Sequence, residues 1–198
     1  MSERTARQLR SLPTKFEARA EESGDLYIEG YFSVFNSNYA LWPGATESVA
    51  PGAFTDTLSD DVRALVDHET RLVLGRNKAG TLELREDARG LWGRVRINQS
   101  DSDAMNLYAR VQRGDVDQCS FGFDILEEDT DYRQDGTIHW TIKKVRLYEV
   151  SVVTFPAYED TGVAARKRDM ETILQRETEA WRANMRNKIK KEETGDGA

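Results

Sequence analysis

Along much of this chain apolar and polar residues alternate with a period of two, and only twice does the spacing lengthen to that of a helix. Over residues 26–35 (LYIEGYFSVF), Leu26, Ile28, Phe32 and Val34 share one face of an extended chain, as a half-buried strand requires. Segments 62–66 (VRALV), 71–75 (RLVLG), 81–86 (TLELRE) and 90–98 (GLWGRVRIN) read as further strands. The polar and glycine residues from Asn77 to Gly80 and from Asp87 to Gly90 suit tight turns between them. Residues 36–52 (NSNYALWPGATESVAPG) are rich in turn formers and read as a long connection, followed by a short helix at 53–60 (AFTDTLSD).

The helical period is clear where Ala104, Leu107, Tyr108 and Val111 fall at i, i+3, i+4 and i+7. Ser100 or Ser102 can cap its start and Gly114 its end. Strands return at 117–126 and, beyond an acidic turn near Asp135-Gly136, at 137–155. Pro156 cannot continue a central strand and closes this region. After Gly162 the composition becomes strongly helical, and Met170, Leu174, Trp181, Met185 and Ile189 form one stripe. That helix reads either as packed on the β core or as a detachable element that binds a partner. The pattern predicts a mainly β (α+β) protein, a barrel or curled sheet with one inserted helix. Its parts are a flexible N-terminal tail at 1–20, a domain at 21–165 and a charged helical extension at 166–198.

Composition narrows the function classes. A chain of 198 residues holds one ordinary domain plus tails. Its net charge of -7 argues against general nucleic-acid or membrane-surface binding. From Arg166 to Glu193 nine basic residues face six acidic ones, so the local excess is positive while the rest of the chain is more acidic still. One cysteine makes no internal disulfide and no metal-binding pair, which suits a reducing compartment. The opening MSERTARQLRSLPTKFEAR has no signal-like apolar run, and no stretch approaches a membrane span. An intracellular, soluble protein is expected.

Chemistry concentrates in DQCSFGFDI, where Cys119 and Ser120 place two nucleophile types side by side. Strand alternation aims them at opposite faces, leaving Cys119 with Phe121 and Phe123 as a small core residue. A serine hydroxyl needs a base to take its proton, and histidine suits that task. Only His68 (in LVDHET) and His139 (in TIHWTI) are available. Glu149, in RLYEVSVV, stands in an otherwise apolar strand, and a carboxylate there needs a partner. No GxSxG elbow, phosphate-binding loop or HExxH helix occurs. The Asp67-His68-Glu69 triplet alone is too little to define a cation site, so neither cofactor nor metal is expected.

Taken in order, GYFSVFN, ESVAPGAF, VDHE, LGR with GTLEL, GLW, SFGF and YEVSVVTFPAYEDT resemble the tailed-phage prohead (capsid maturation) serine protease family over roughly residues 26 to 165. The resemblance implies a β-barrel with surrounding helices similar to the herpesvirus assembly proteases. It implies a serine endopeptidase that cleaves the scaffolding segment of the major capsid protein, and itself, inside the procapsid before DNA packaging. The expected partners are that capsid protein, its scaffolding segment and further copies of the chain, without direct nucleic-acid or membrane contact. The expected location is the assembling procapsid in the host cytoplasm, without secretion. Carried over by motif, Ser120 is the nucleophile, His68 the general base and Glu149 the group orienting the histidine. His139 stays open as the alternative third member, because the herpesvirus relatives use a second histidine there. The competing reading is a non-catalytic β-rich scaffold or capsid component of the same fold.

Overall fold

The structure, a computed structural model, describes residues 8–12, 16–155 and 160–193. Two compact units are present, residues 1–159 and 160–198. The first is built of strands β1 (Gln8–Leu12), β2 (Glu17–Ala20), β3 (Leu26–Val34), β4 (Tyr39–Trp42), β5 (Ala45–Val49) and β6 (Arg63–Val66). It continues with β7 (Glu69–Arg76), β8 (Leu82–Glu86), β9 (Gly90–Arg96), helix α1 (Ser102–Arg113), β10 (Gln118–Tyr132) and β11 (Ile138–Val153). The second unit is one helix, α2 (Asp160–Glu193). Its Leu174, Trp181, Met185 and Ile189 are exposed. Pro156 and the first seven residues lie outside the described residues.

Strand β11 organises the larger sheet. It pairs antiparallel with β10 along nearly its whole length, and β1 adds to the far side of β10. On the other edge two short strands run parallel to it, β5 beside Ile138–Ile142 and β6 beside Glu149–Val152. Between these contacts the connecting segment stays on that edge. Val145 N–H donates to the Ala53 carbonyl and Leu147 N–H to Thr57 Oγ1, at 3.1 and 2.9 Å. This explains why 53–60 is a run of turns and not the expected helix. Its acceptors serve β11, while the Glu86 carboxylate takes the N–H groups of Gly52 and Phe54.

The second sheet has the order β2-β3-β9-β8. The core joins residues of both sheets and of α1, including Ile28, Phe32, Leu91, Val95, Leu107 and Phe121. Phe121 stacks on Phe123 at 4.8 Å and meets Phe54 edge-on at 5.5 Å. Such aromatic clusters bury large areas in defined geometry. The helix buries Ala104, Leu107, Tyr108 and Val111, and Gly114 ends it in the left-handed region. Its cap is Asp101, whose carboxylate accepts from Asp103 N and Ala104 N, rather than either neighbouring serine.

The described strands depart from the sequence pattern in several places. The described strands form two sheets rather than a closed barrel. The connection at 36–52 contains the hairpin β4–β5, which turns at Pro43-Gly44 with Gly44 at φ +86°. Strands β1 and β2 lie within the segment expected as a flexible tail. Each is four or five residues long and carries charged residues, too short a run to show a period. Also, β10 continues through the acidic residues to Tyr132, where Lys143 of β11 pairs with Asp129 at 2.6 Å.

Close approach of β3 and β9 rests on glycine. A Cβ on Gly90 would stand 2.0 Å from the Ser33 carbonyl oxygen, a backbone atom that only strand movement could relieve. Gly90→Ala is therefore expected to destabilise the fold by about 1–3 kcal/mol, read from urea unfolding midpoints. A variant as stable as the parent would show that the strands part without cost.

Candidate active site

The site is assembled from the turn after β6, the start of β10 and the last third of β11. In the antiparallel pair Ser120 lies opposite Ser151, and Gly122 opposite Glu149. Ser120, Ser151 and Glu149 are all buried. Ser151 Oγ donates to Glu149 Oε2 at 2.6 Å, and His68 Nδ1 donates to Glu149 Oε1 at 2.7 Å. The missing side chain of Gly122 leaves this face of β10 open to the carboxylate. A carboxylate that is 2% exposed is tolerable because both oxygens receive donors.

His68 reaches Glu149 from the two-residue turn between β6 and β7. Asp67 and His68 both adopt positive φ, 47° and 62°, as a type I′ hairpin turn demands. Aspartate is among the residues such turns favour, but His68 is not, so the histidine carries the backbone strain. Asp67 holds the turn in place. Its Oδ1 accepts from Thr154 N at 2.7 Å, its Oδ2 from Thr154 Oγ1 at 3.1 Å, and its own N–H donates to the Val152 carbonyl. No sequence signal marked Asp67 for this task, because Thr154 is 87 residues away.

The second ring nitrogen, Nε2, is buried and has no hydrogen-bond partner among the described residues. Ser120 Oγ donates elsewhere, to the Arg10 carbonyl of β1 at 2.9 Å. Leu65 of β6 lies beside Ser151, which lies beside Ser120, so Leu65 and Ser120 flank β11 about 10 Å apart, and His68 follows three residues after Leu65. His139 stands ten residues along β11 from Glu149, about 30 Å at strand rise. Thr46 Oγ1 and Ser48 Oγ engage its two nitrogens at 2.7 and 2.9 Å. The structure thus brings His68 to Glu149 and leaves His139 with β5.

Cys119 is fully buried and its thiol faces the carbonyls of Tyr31 and Phe32. Beside Glu149 an open cleft is lined by Leu65, Thr70, Val73, Asp124 and Tyr148. The hydrogen bond from Tyr148 to Asp124 pushes its phenol above the ordinary range. At the rim, the hydrogen bond from Arg76 holds the Asp61 carboxyl below the usual value. Among the described residues no three His, Cys, Asp or Glu side chains gather as metal ligands. Among them also no helix is long and apolar enough to cross a membrane.

A serine, a histidine and a carboxylate on adjoining strands form the set that serine hydrolases use. Residues 14–176 match the model of the caudovirus prohead serine protease family, and the chain belongs to that family. It is 35% identical over 160 residues to the prohead protease of Enterobacteria phage HK97. That match covers 78% of this chain and 66% of the relative, so the chain spans slightly under two thirds of the relative's length. The capsid assembly protease of bacteriophage T4 is a distant structural neighbour, with 13% identity and a TM-score of 0.43 over 74% of this chain and 98% of the other.

Asp67→Ala removes the two acceptors that pin the histidine turn to Thr154. The expected loss is about 1–2 kcal/mol of stability, with hydrogen exchange at Asp67 and His68 faster than in the parent. Unchanged exchange in the variant would show that the turn holds its strained conformation unaided.

Proposed function

We propose that the protein is a serine endopeptidase of phage capsid maturation, with Ser120 as nucleophile, His68 as general base and Glu149 as the group that orients and stabilises the histidine. The observation that carries this reading is the His68–Glu149 hydrogen bond. It occupies Nδ1, directs the second nitrogen away from the carboxylate and leaves that nitrogen without a partner. Family membership supplies the reaction class.

In the proposed reaction His68 Nε2 takes the Ser120 hydroxyl proton as Oγ bonds to the substrate carbonyl carbon. The resulting imidazolium is stabilised by the Glu149 carboxylate. The C–N bond then breaks and Nε2 returns the proton to the leaving amine. Water repeats the sequence on the acyl-enzyme, releasing the carboxylic acid and regenerating Ser120. Ser151 steadies the carboxylate through its 2.6 Å hydrogen bond and takes no proton.

The substrate class we assign is the scaffolding segment of a major capsid protein, with self-cleavage and self-association alongside it, inside a procapsid before DNA packaging. The similarity to the HK97 prohead protease supports this assignment. The likeness of its fold to herpesvirus assembly proteases remains part of the proposal. A non-catalytic scaffold protein would have no need to hold a histidine on a strained turn against a buried carboxylate.

Co-expression with the phage's major capsid protein should give shortened capsid protein, and Ser120→Ala should abolish the shortening. Glu149→Gln keeps the shape but disturbs the histidine's tautomer, and should lower kcat by about 10³–10⁴-fold. Undiminished cleavage by the Ser120→Ala chain, followed by intact-mass spectrometry, would remove the serine from the mechanism.

A further inference from the structure

We infer that β1 occupies the place of a substrate strand beside β10, and that Glu47 selects arginine or lysine on the acyl side of the bond to be cut. The inference rests on the reading of Ser120 as nucleophile. Peptides commonly bind by adding a strand to an exposed sheet edge, where main-chain pairing gives affinity and pockets for side chains give specificity. Strand β1 does this within the molecule, with Leu9 opposite Gly122, Arg10 opposite Phe121 and Ser11 opposite Ser120.

The register identifies the stand-in residue. The carbonyl nearest the nucleophile is that of Arg10, which accepts the Ser120 hydroxyl at 2.9 Å. The hydroxyl points its proton at the carbonyl oxygen, not at a base, so the strand is held without being attacked. With β1 in place Ser120 is wholly inaccessible, and a substrate strand must displace it. Five residues on a sheet edge make a displaceable occupant.

The side chain of Arg10 explains what would replace it. It runs beside Phe121 to the Glu47 carboxylate, with Nε on Oε1 and Nη2 on Oε2 at 3.1 Å. The guanidinium also lies 5.8 Å from the Phe123 ring centroid. Both partners are nearly buried, at 5% and 2% exposure. The surrounding recess includes Val34, Tyr39, Val49 and Phe121. A two-point guanidinium–carboxylate contact is strong and geometrically selective. A neutral side chain in Arg10's place would remove the paired cation from a buried acid, a mismatch that sites rejecting their substrates' analogues exploit.

The test uses the full chain with a synthetic peptide mixture of varied sequence, and new termini read by mass spectrometry. Arginine or lysine is expected immediately before most cuts. For matched peptides, Glu47→Gln should reduce the preference for arginine over citrulline in kcat/KM by about a hundredfold or more. Arg10→Ala should raise the rate on arginine peptides, because the occupant strand loses its anchor. Cuts that follow acidic or apolar residues in the parent chain overturn the inference, whether or not the variants fold. So does an unchanged preference in a folded Glu47→Gln chain, or no cutting by either the parent or Arg10→Ala. Cuts that vanish with Ser120→Ala but lack a basic residue leave the protease standing and remove only the selectivity. Cuts that persist with Ser120→Ala remove the protease reading itself.

Discussion

A buried carboxylate toward the end of β11 constrains everything around it. Glu149 has a strand on each side, with Gly122 opposite it on β10 and Arg63 on β6. A charge at that depth is destabilising unless donors reach it, and along the strand itself Ser151 supplies one. The remaining donor has to come from outside, which requires β6 to end in a turn tight enough to fold a side chain back over β11. Two residues with positive φ meet that need, and Asp67 anchors them to the end of the same strand. The hydrogen bond from His68 to Glu149 offsets both the strain in the turn and the burial of the charge.

The same strand gathers three elements distant in sequence. Parallel pairing needs a crossover connection, yet β5 and β6 lie along one edge of β11 as if they were a single interrupted strand. The turns at 50–60 bridge the interruption and supply acceptors to the N–H groups of Val145 and Leu147. Backbone groups in a buried strand must be paired, so this irregular segment replaces a strand that the edge would otherwise lack. It also sets the distance between Glu47 on β5 and the histidine turn after β6.

Much of this was legible before the structure, and the parts that were not share a cause. Strands 62–66, 81–86 and 90–98 and helix α1 are local features, each signalled by its own period and turn residues. The hairpin β4–β5 is hidden because its strands are short and β5 pairs with β11 about ninety residues later. Local helix preference at 53–60 loses to hydrogen bonds made with a strand that follows it by about ninety residues. In the site, a carboxylate among apolar neighbours pointed to a missing partner, and the structure places His68 there. The sequence left His139 open as the third member in place of Glu149, and only three-dimensional register puts it beside Thr46 and Ser48. Arg10 and Asp67 look like ordinary surface charges until the strands holding their partners are in place.

The large sheet therefore holds two buried carboxylates with partners of different permanence. Arg10 shares the face of Phe121, opposite which it lies in the ladder, whereas Glu149 shares the face of Ser120. His68 is held near Glu149 by a turn joined at both ends to β6 and β7 and anchored through Asp67 to Thr154. Arg10 is carried by a five-residue edge strand, which among the described strands pairs with β10. A buried acid whose partner departs is destabilised until another cation arrives. Exchange at that position would favour a strand that brings its own positive charge, while the His68–Glu149 pair lies on the other face of β10.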